Sequence, residues 1–441
     1  MHGQWGTRTG FTLASIGAAV GLGNIWRFAY VAGENGGGAF LVVYILLVVA
    51  IGIPLVVAEL AVGKRGAADA ATAFEALAPH SIWRHAGWLG IAAAALILSY
   101  YSVIAGWALR YFAASLTGAL WAGASEGFGG YFSRFIANAG EPIYWQLAMM
   151  LASMLVVAGG IARGIERVNL VLMPVLAAIV IALAAHALTL PGGGRGLSFL
   201  FAPEWSAAAD PQVILAALGQ AFFSIGVGMA VFVTYGSYMR RDFGILTSAV
   251  IIVLGDTMFA IVAGLAIFPA VFTFGSNPAA GPELAFITLP QVFLAMPGGK
   301  LVGPVFFFLL SAAALTSMIS LLEVPVAAAV HRLKINRWSA VAALGSAIAL
   351  AGVPSGLSYG LLRNTSALGQ PILDAVDHTV SNFLLPLSSL ALTIFAGYVV
   401  PGRTRDELVM AGDRMPGKAF IWAWRVVPVF IIGLIVFRFF P

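Results

Sequence analysis

GAAVGLGNIWRF, residues Gly17 to Phe28, lies inside the first long apolar run of the chain, yet three glycines, an asparagine and an arginine interrupt it. Glycine weakens a helix, and an arginine at membrane depth is costly, so a segment that only had to cross lipid would carry neither. The stretch therefore reads as a helix broken near its middle. Backbone N–H and C=O groups freed by such a break persist only where protein, ions or a ligand satisfy them.

A second run, GQAFFSIGVGMAVFVTYGSYM (219–239), shows the same kind of interruption at Ser224, Gly226 and Gly228. Four apolar segments separate the two broken ones, which would give segments 1 to 5 and 6 to 10 opposite orientations. Paired broken helices that meet at the bilayer midplane are the arrangement of an inverted-repeat transporter.

The remaining composition fits this reading. Of the 441 residues 61% are hydrophobic and 9% charged, against about 25% charged in soluble domains. Eleven apolar runs are long enough to cross hydrocarbon, at 10–31, 38–62, 86–118, 143–161, 166–190, 211–236, 243–270, 299–330, 338–354, 371–399 and 417–440. The expected organisation is one all-α transmembrane domain over 1–441. Its first repeat spans about 10–190, its second about 211–399, and one further helix about 417–440.

Lys and Arg concentrate in alternate loops, among them Lys64, Arg65, Arg163, Arg167, Arg240, Arg241, Arg332, Lys334 and Arg337, whereas the opposite loops hold Arg134, Arg195, Lys300 and Arg363. The positive-inside rule then places the N-terminus in the cytosol and the C-terminus outside, in a bacterial inner membrane. The net charge of +5 follows from that bias and implies no nucleic-acid partner. The absence of cysteine excludes disulfides and thiolate chemistry, and the scattered histidines form no metal motif. No nucleophile, base and oxyanion set converges, so the chain does not read as an enzyme.

The motifs WGTRTGF, GAAVGLGNIWRF, ENGGGAFLVVY, GIPLVVAELAVGKRG, GIERVNLVLMP, GQAFFSIGVGMAVFVTYGSY, AGLAIFPAVFTFG, LAFITLPQVF and SAAALTSM run from Trp5 to about Ser320. Together they resemble the neurotransmitter:sodium symporter family, particularly its bacterial amino-acid transporters. The last third resembles it mainly through hydrophobic pattern and Asp377. The resemblance implies a LeuT-type 5+5 inverted repeat, and sodium-driven import of an amino acid by alternating access.

It also implies site residues. One sodium would take the Ala19 carbonyl, Asn24, Ser224, Asp256 and the substrate carboxylate. A second would take carbonyls of Gly17, Val20 and Ala313 with the hydroxyls of Thr316 and Ser317. Several neutral or weakly charged oxygens are what a hard alkali cation requires. From the residues alone, Thr316 and Ser317 read rather as hydroxyls bonded back to their own helix.

The amides of Leu22 and Gly23 and the Tyr101 hydroxyl would hold the substrate carboxylate, and carbonyls of Ala18, Phe223 and Ser224 its ammonium. Ile97, Phe223, Gly226, Met229, Ser317 and Leu321 would line a mostly apolar side-chain pocket, suited to a bulky aliphatic or aromatic L-amino acid. Arg27 and Asp377 match the family's outer gate pair. Trp5 would help close the cytosolic side, and Glu59 would turn inward to satisfy amides freed at the second break. Judged by position alone, Glu59 could instead snorkel to the membrane surface.

Three departures from the family pattern carry further expectations. Asp256 places a carboxylate where chloride acts in animal members, so transport is expected to be independent of chloride. The inner gate pair is replaced by His2 and His331, so closure there is expected to rest on Trp5, Arg8, Tyr238 and packing. The punctuated stretch 271–298 is expected to form a short external hairpin capping the vestibule. A monomer is preferred, and the alternatives are a receptor or channel of the same fold, or a proton-coupled transporter.

Overall fold

The computed structural model describes residues 3–279, 284–410 and 417–439. We label its principal helices α1 Arg8–Ala19, α2 Phe28–Glu34, α3 Gly38–Gly66, α4 Ala70–Leu77, α5 Gly87–Thr117, α6 Glu141–Ala158, α7 Ile161–Leu188, α8 Pro211–Ile225, α9 Val231–Ser237, α10 Ile245–Thr273, α11 Gly299–Leu333, α12 Arg337–Gly356, α13 Ile372–Val399 and α14 Gly417–Phe439. Among the described residues, eight continuous helices are long and apolar enough to cross a membrane. The first and sixth apolar runs are instead each split in two.

Local chemistry starts these helices where they start. The Thr7 side chain accepts from Gly10 N at 2.9 Å and caps α1, while Asp210 accepts from Gln212 N at 2.8 Å and precedes Pro211 at the first position of α8.

The breaks have distinct backbone causes. After Ala19, Val20 turns extended, with φ −68° and ψ 111°, and helical turns resume at Gly23 as a short π-helix that leads into α2. After Ile225, Gly226 and Gly228 take φ of +76° and +84°, which only glycine adopts freely. Ala230 follows at φ +54°, a conformation that costs an alanine about 1–2 kcal/mol and persists because its surroundings enforce it.

Burial divides the molecule into a centre and a rim. The apolar windows of the span ending at Thr117 and of α11 are 78% and 83% buried, and α5 and α11 run along one another as the middle of the bundle. α7 is only 33% buried and turns its apolar outer face to lipid. α1 packs on α7, α10 and α11, and both α8 and α9 pack on α3, so the two breaks face each other across the centre.

The stretch 271–298, expected to form an external hairpin, holds a short helix. Its described part contains the helix Thr288–Ala295, and Phe286, 1% exposed, stacks on Phe132 at 5.4 Å between ring centres; residues 280–283 lie outside the described residues. Apolar burial of the phenylalanine, rather than strand pairing, anchors this segment. Among the described residues, strand occurs only as the ribbon Ser366–Ala367 with Gln370–Pro371.

Candidate functional site

The first break redirects the amides that would have continued α1. Gly21 N donates to Asn24 Oδ1 and Leu22 N to the Tyr101 hydroxyl, both at 3.0 Å. The Gly17 and Ala18 carbonyls thereby lose the partners a continuous helix would supply. Just beyond, Thr316 Oγ1 lies 3.4 Å from the Val20 carbonyl and 2.8 Å from that of Ala313. Ser317 Oγ lies 3.3 Å from Val20 O and 3.5 Å from Ala313 O. Four buried oxygens thus converge one turn from Gly17, a donor set suited to an alkali cation.

A second oxygen cluster joins α1–α2, α8 and α10. Asn24 Nδ2 donates to Asp256 Oδ1 at 2.6 Å and to Ser224 Oγ at 3.1 Å, and Ser224 Oγ donates to Asp256 Oδ2 at 2.8 Å. Asp256 is 0% exposed, and among the described residues no Lys or Arg pairs with it within 4.0 Å. Ala19, 6% exposed, lies beside the cavity described next.

Between the breaks is a cavity of about 30 Å³ lined by Ala18, Ala19, Gly23, Ile97, Tyr101, Phe223, Gly226, Met229, Ser317 and Leu321. Leu22 lines the larger outer cavity instead, and Ser224 faces Asp256. Sequence reasoning overlooked Gly21, Ile225, Val231, Phe232 and Ser320, which also line the small cavity. Gly21 carried a signal: its run of closely spaced glycines marks close approach, and a Cβ there would collide with Ser317 Oγ and the Tyr101 hydroxyl.

Glu59, 1% exposed, accepts from Gly228 N at 2.7 Å and from Phe232 N at 3.1 Å. The carboxylate stands in for the helical carbonyls that the second break removed, so the acid is turned inward and does not snorkel.

On the side away from the basic end, Arg27 and Asp377 line a cavity of about 440 Å³ together with Leu22, Tyr101 and Phe223. No ion pair within 4.0 Å joins them among the described residues. Arg27 instead stacks over Phe223 at 4.4 Å and donates to Gln220 Oε1 at 3.3 Å, while Asp377 accepts from Ser381 at 3.3 Å.

The end where Lys and Arg concentrate is closed, but not only by the residues expected. Trp5, 1% exposed, donates through Nε1 to Tyr235 O at 3.0 Å. Tyr238 donates to Glu323 Oε1 at 2.8 Å, and Glu323, whose side chain is 0% exposed, forms a two-point ion pair with Arg337. Arg337 also donates to Val157 O at 2.7 Å, tying α11, α12 and α6 together.

To the closure expected from Trp5, Arg8, Tyr238 and packing the structure adds the Glu323–Arg337 ion pair. His331 itself meets Asp69 Oδ2 at 2.9 Å, Arg8 is exposed, and His2 lies outside the described residues. Glu323 carried a signal, as the only acid in the apolar run 299–330. Replacing Glu323 with Gln keeps an acceptor for Tyr238 but leaves Arg337 without a counter-charge. Because the chain has no cysteine, a single Cys at buried Thr234 can report on opening. Its alkylation rate is expected to rise about tenfold in Glu323→Gln; an unchanged rate would mean the pair does not hold this end shut.

Two facing helix breaks, buried oxygen clusters beside them and a cavity between them define a membrane carrier. The chain belongs to the Sodium:neurotransmitter symporter family, whose model matches residues 2–129 and 131–440. It is 41% identical over 433 residues to YhdH, an uncharacterized sodium-dependent transporter of Bacillus subtilis, with 98% of this chain and 95% of the relative covered. An uncharacterized sodium-dependent transporter of Haemophilus influenzae is 33% identical over 443 residues, covering 98% and 96%. The crystal structure of MhsT in complex with L-phenylalanine superposes with a TM-score of 0.91 at 47% identity, covering 99% of each chain. The chain is thus a multi-pass, sodium-dependent transporter with the LeuT fold.

Proposed function

We propose that the protein imports a hydrophobic L-amino acid, bulky aliphatic or aromatic, together with two sodium ions and without chloride. The observation that carries this reading is the placement of a mostly apolar cavity between two clusters of buried oxygens, at the point where both helices break. The freed amides of Leu22 and Gly23 and the Tyr101 hydroxyl bind the carboxylate, and the carbonyls of Ala18, Phe223 and Ser224 bind the ammonium. No charged side chain lines the cavity, so a charged substrate side chain finds no partner. The L-phenylalanine held by MhsT is of the class this cavity suits.

One sodium sits among Ala19, Asn24, Ser224 and Asp256, the other among Gly17, Val20, Ala313, Thr316 and Ser317. Arg27 and Asp377 approach as the outer path closes. The repeats 10–190 and 211–399 then rock against each other with the N-terminus cytosolic, and the helix over 417–440 stands outside both.

Uptake of labelled leucine, phenylalanine and tryptophan into proteoliposomes, with and without an inward sodium gradient, tests the proposal. Preference for glycine, proline or glutamate would refute the substrate class. Binding without flux would favour a receptor, and flux indifferent to sodium would favour a uniporter or a proton-coupled carrier. Tyr101→Phe removes a bond to a charged group and strips Leu22 N of its partner, so uptake should fall roughly 50-fold while the fold persists. Wild-type affinity in that variant would take Tyr101 out of the carboxylate site.

A further inference from the structure

Asp69 is the N-cap of α4, and its side chain is 0% exposed. One carboxylate oxygen, Oδ1, accepts from Ala71 N at 3.0 Å and from Thr72 N at 3.1 Å, which satisfies the first turn of the helix. The other, Oδ2, receives no hydrogen bond from any amide or hydroxyl, and its neighbour is the His331 imidazole, with Nδ1 2.9 Å away. Thr72 Oγ1 stands 3.3 Å from the same nitrogen. The His331 side chain, in the last turn of α11, is 32% exposed, so a proton from water reaches it while the carboxylate it faces stays dry.

The other titratable groups around this end are matched or open to water. Arg332 pairs with Glu75 of α4 at 2.6 Å, lies over the Trp88 ring of α5 at 5.3 Å and stands 3.8 Å from Asp69 Oδ1. Arg84 and His85, in the turn before α5, bond to each other at 3.0 Å, and Lys334 and Arg8 are exposed. Glu323 pairs with Arg337 of α12 and accepts from the Tyr238 hydroxyl beside α9. The charge that a proton adds to His331 therefore acts on Asp69 Oδ2. That contact joins moving and central parts of the fold: α4 packs on α3, α5, α9 and α11, and its far end is fixed separately, by Phe74 against Phe395 at 4.5 Å between ring centres and by Arg403 on Leu77 O.

We propose that Asp69 and His331 form a proton-operated latch at the basic end: a proton on His331 holds the start of α4 against α11 and keeps the path beside α9 shut, and loss of that proton eases opening. In the closed form the imidazolium faces a dehydrated carboxylate, whereas in the open form both groups are wet and attract weakly. The closed form therefore binds the proton more tightly, and by linkage acid on that side favours closure. The extra hold is complete at low pH and is lost as pH rises through the range in which histidine titrates, about pH 6–7. Turnover of the carrier thus falls when the compartment at the basic end acidifies, whichever substrate and ions it moves.

The test uses full-length protein carrying Thr234→Cys in proteoliposomes. Its alkylation rate at each pH is divided by that of the same protein unfolded in denaturant, which removes the titration of the thiol itself. Between about pH 5.5 and pH 8 the normalised rate should rise about tenfold with His331 and Asp69 in place. His331→Asn puts a neutral amide nitrogen where Nδ1 stands, and Asp69→Asn keeps the helix cap while deleting the charge. Added to the reporter, each should hold the rate within about twofold across the whole range. A histidine that only fills space would leave the pH response of Asp69→Asn intact. The full pH response in either variant, or none in the parent, would overturn the latch.

Discussion

Asp256→Asn is expected to lower amino-acid uptake in chloride-free medium about a hundredfold, and to raise the sodium concentration needed for half-maximal binding by a similar factor. The carboxylate is fully buried, receives Asn24 and Ser224, and has no Lys or Arg partner among the described residues, so a bound cation is the natural counter-charge. Asparagine preserves size and hydrogen bonding while deleting the charge. The hydroxyls of Ser224, Tyr44 and Thr257 lie together beside it and are donors that an added anion could accept. Chloride should therefore restore part of the lost uptake. Full uptake by the variant without chloride would end the assignment of Asp256 to charge compensation, and the proposed chloride independence would need another cause.

The second large effect is expected at Glu59. Glu59→Leu leaves Gly228 N and Phe232 N buried without acceptors in a segment already strained at Ala230. Two amides losing charge-assisted bonds should cost about 3 kcal/mol of stability, offset in part by no longer burying a carboxylate. Because those amides hold open the break that supplies the Phe223 and Ser224 carbonyls, substrate binding should be lost along with thermal stability. Glu59→Gln retains one acceptor and should fall between. Unchanged affinity in Glu59→Leu would show that the second break is shaped by its glycines alone.

The two effects differ in what they probe. Asp256 tests the chemistry of the ion cluster within an intact backbone, whereas Glu59 tests whether the broken backbone is itself the site. A protein that tolerated both substitutions would not couple sodium in the way proposed.

Much was legible along the chain because its signals are local. Hydropathy over some twenty residues marks a helix that can lie in hydrocarbon, and each apolar run read from the sequence contains helix. Glycines at 17, 21, 23, 226 and 228 marked both breaks: at 226 and 228 the positive φ is cheap only for glycine, and at 17, 21 and 23 a Cβ would crowd the groups packed against the chain. Composition and these breaks alone indicated a carrier, and motif resemblance named its family.

Only the tertiary structure decided which buried groups meet. Glu166 clasps residues 159 and 160 positions away, Glu59 reaches amides 169 and 173 positions away, and Glu323 pairs with an arginine on the next helix. The facing of each depends on the rotation of its helix about its own axis, which is set by packing against distant segments and is not written in local periodicity. The separation of Arg27 from Asp377 and the unpaired oxygen of Asn169 are of the same kind. A residue's chemistry can be read in one dimension, but whether a buried carboxylate holds an ion, a backbone end or another helix depends on what packing brings within about 3 Å of it.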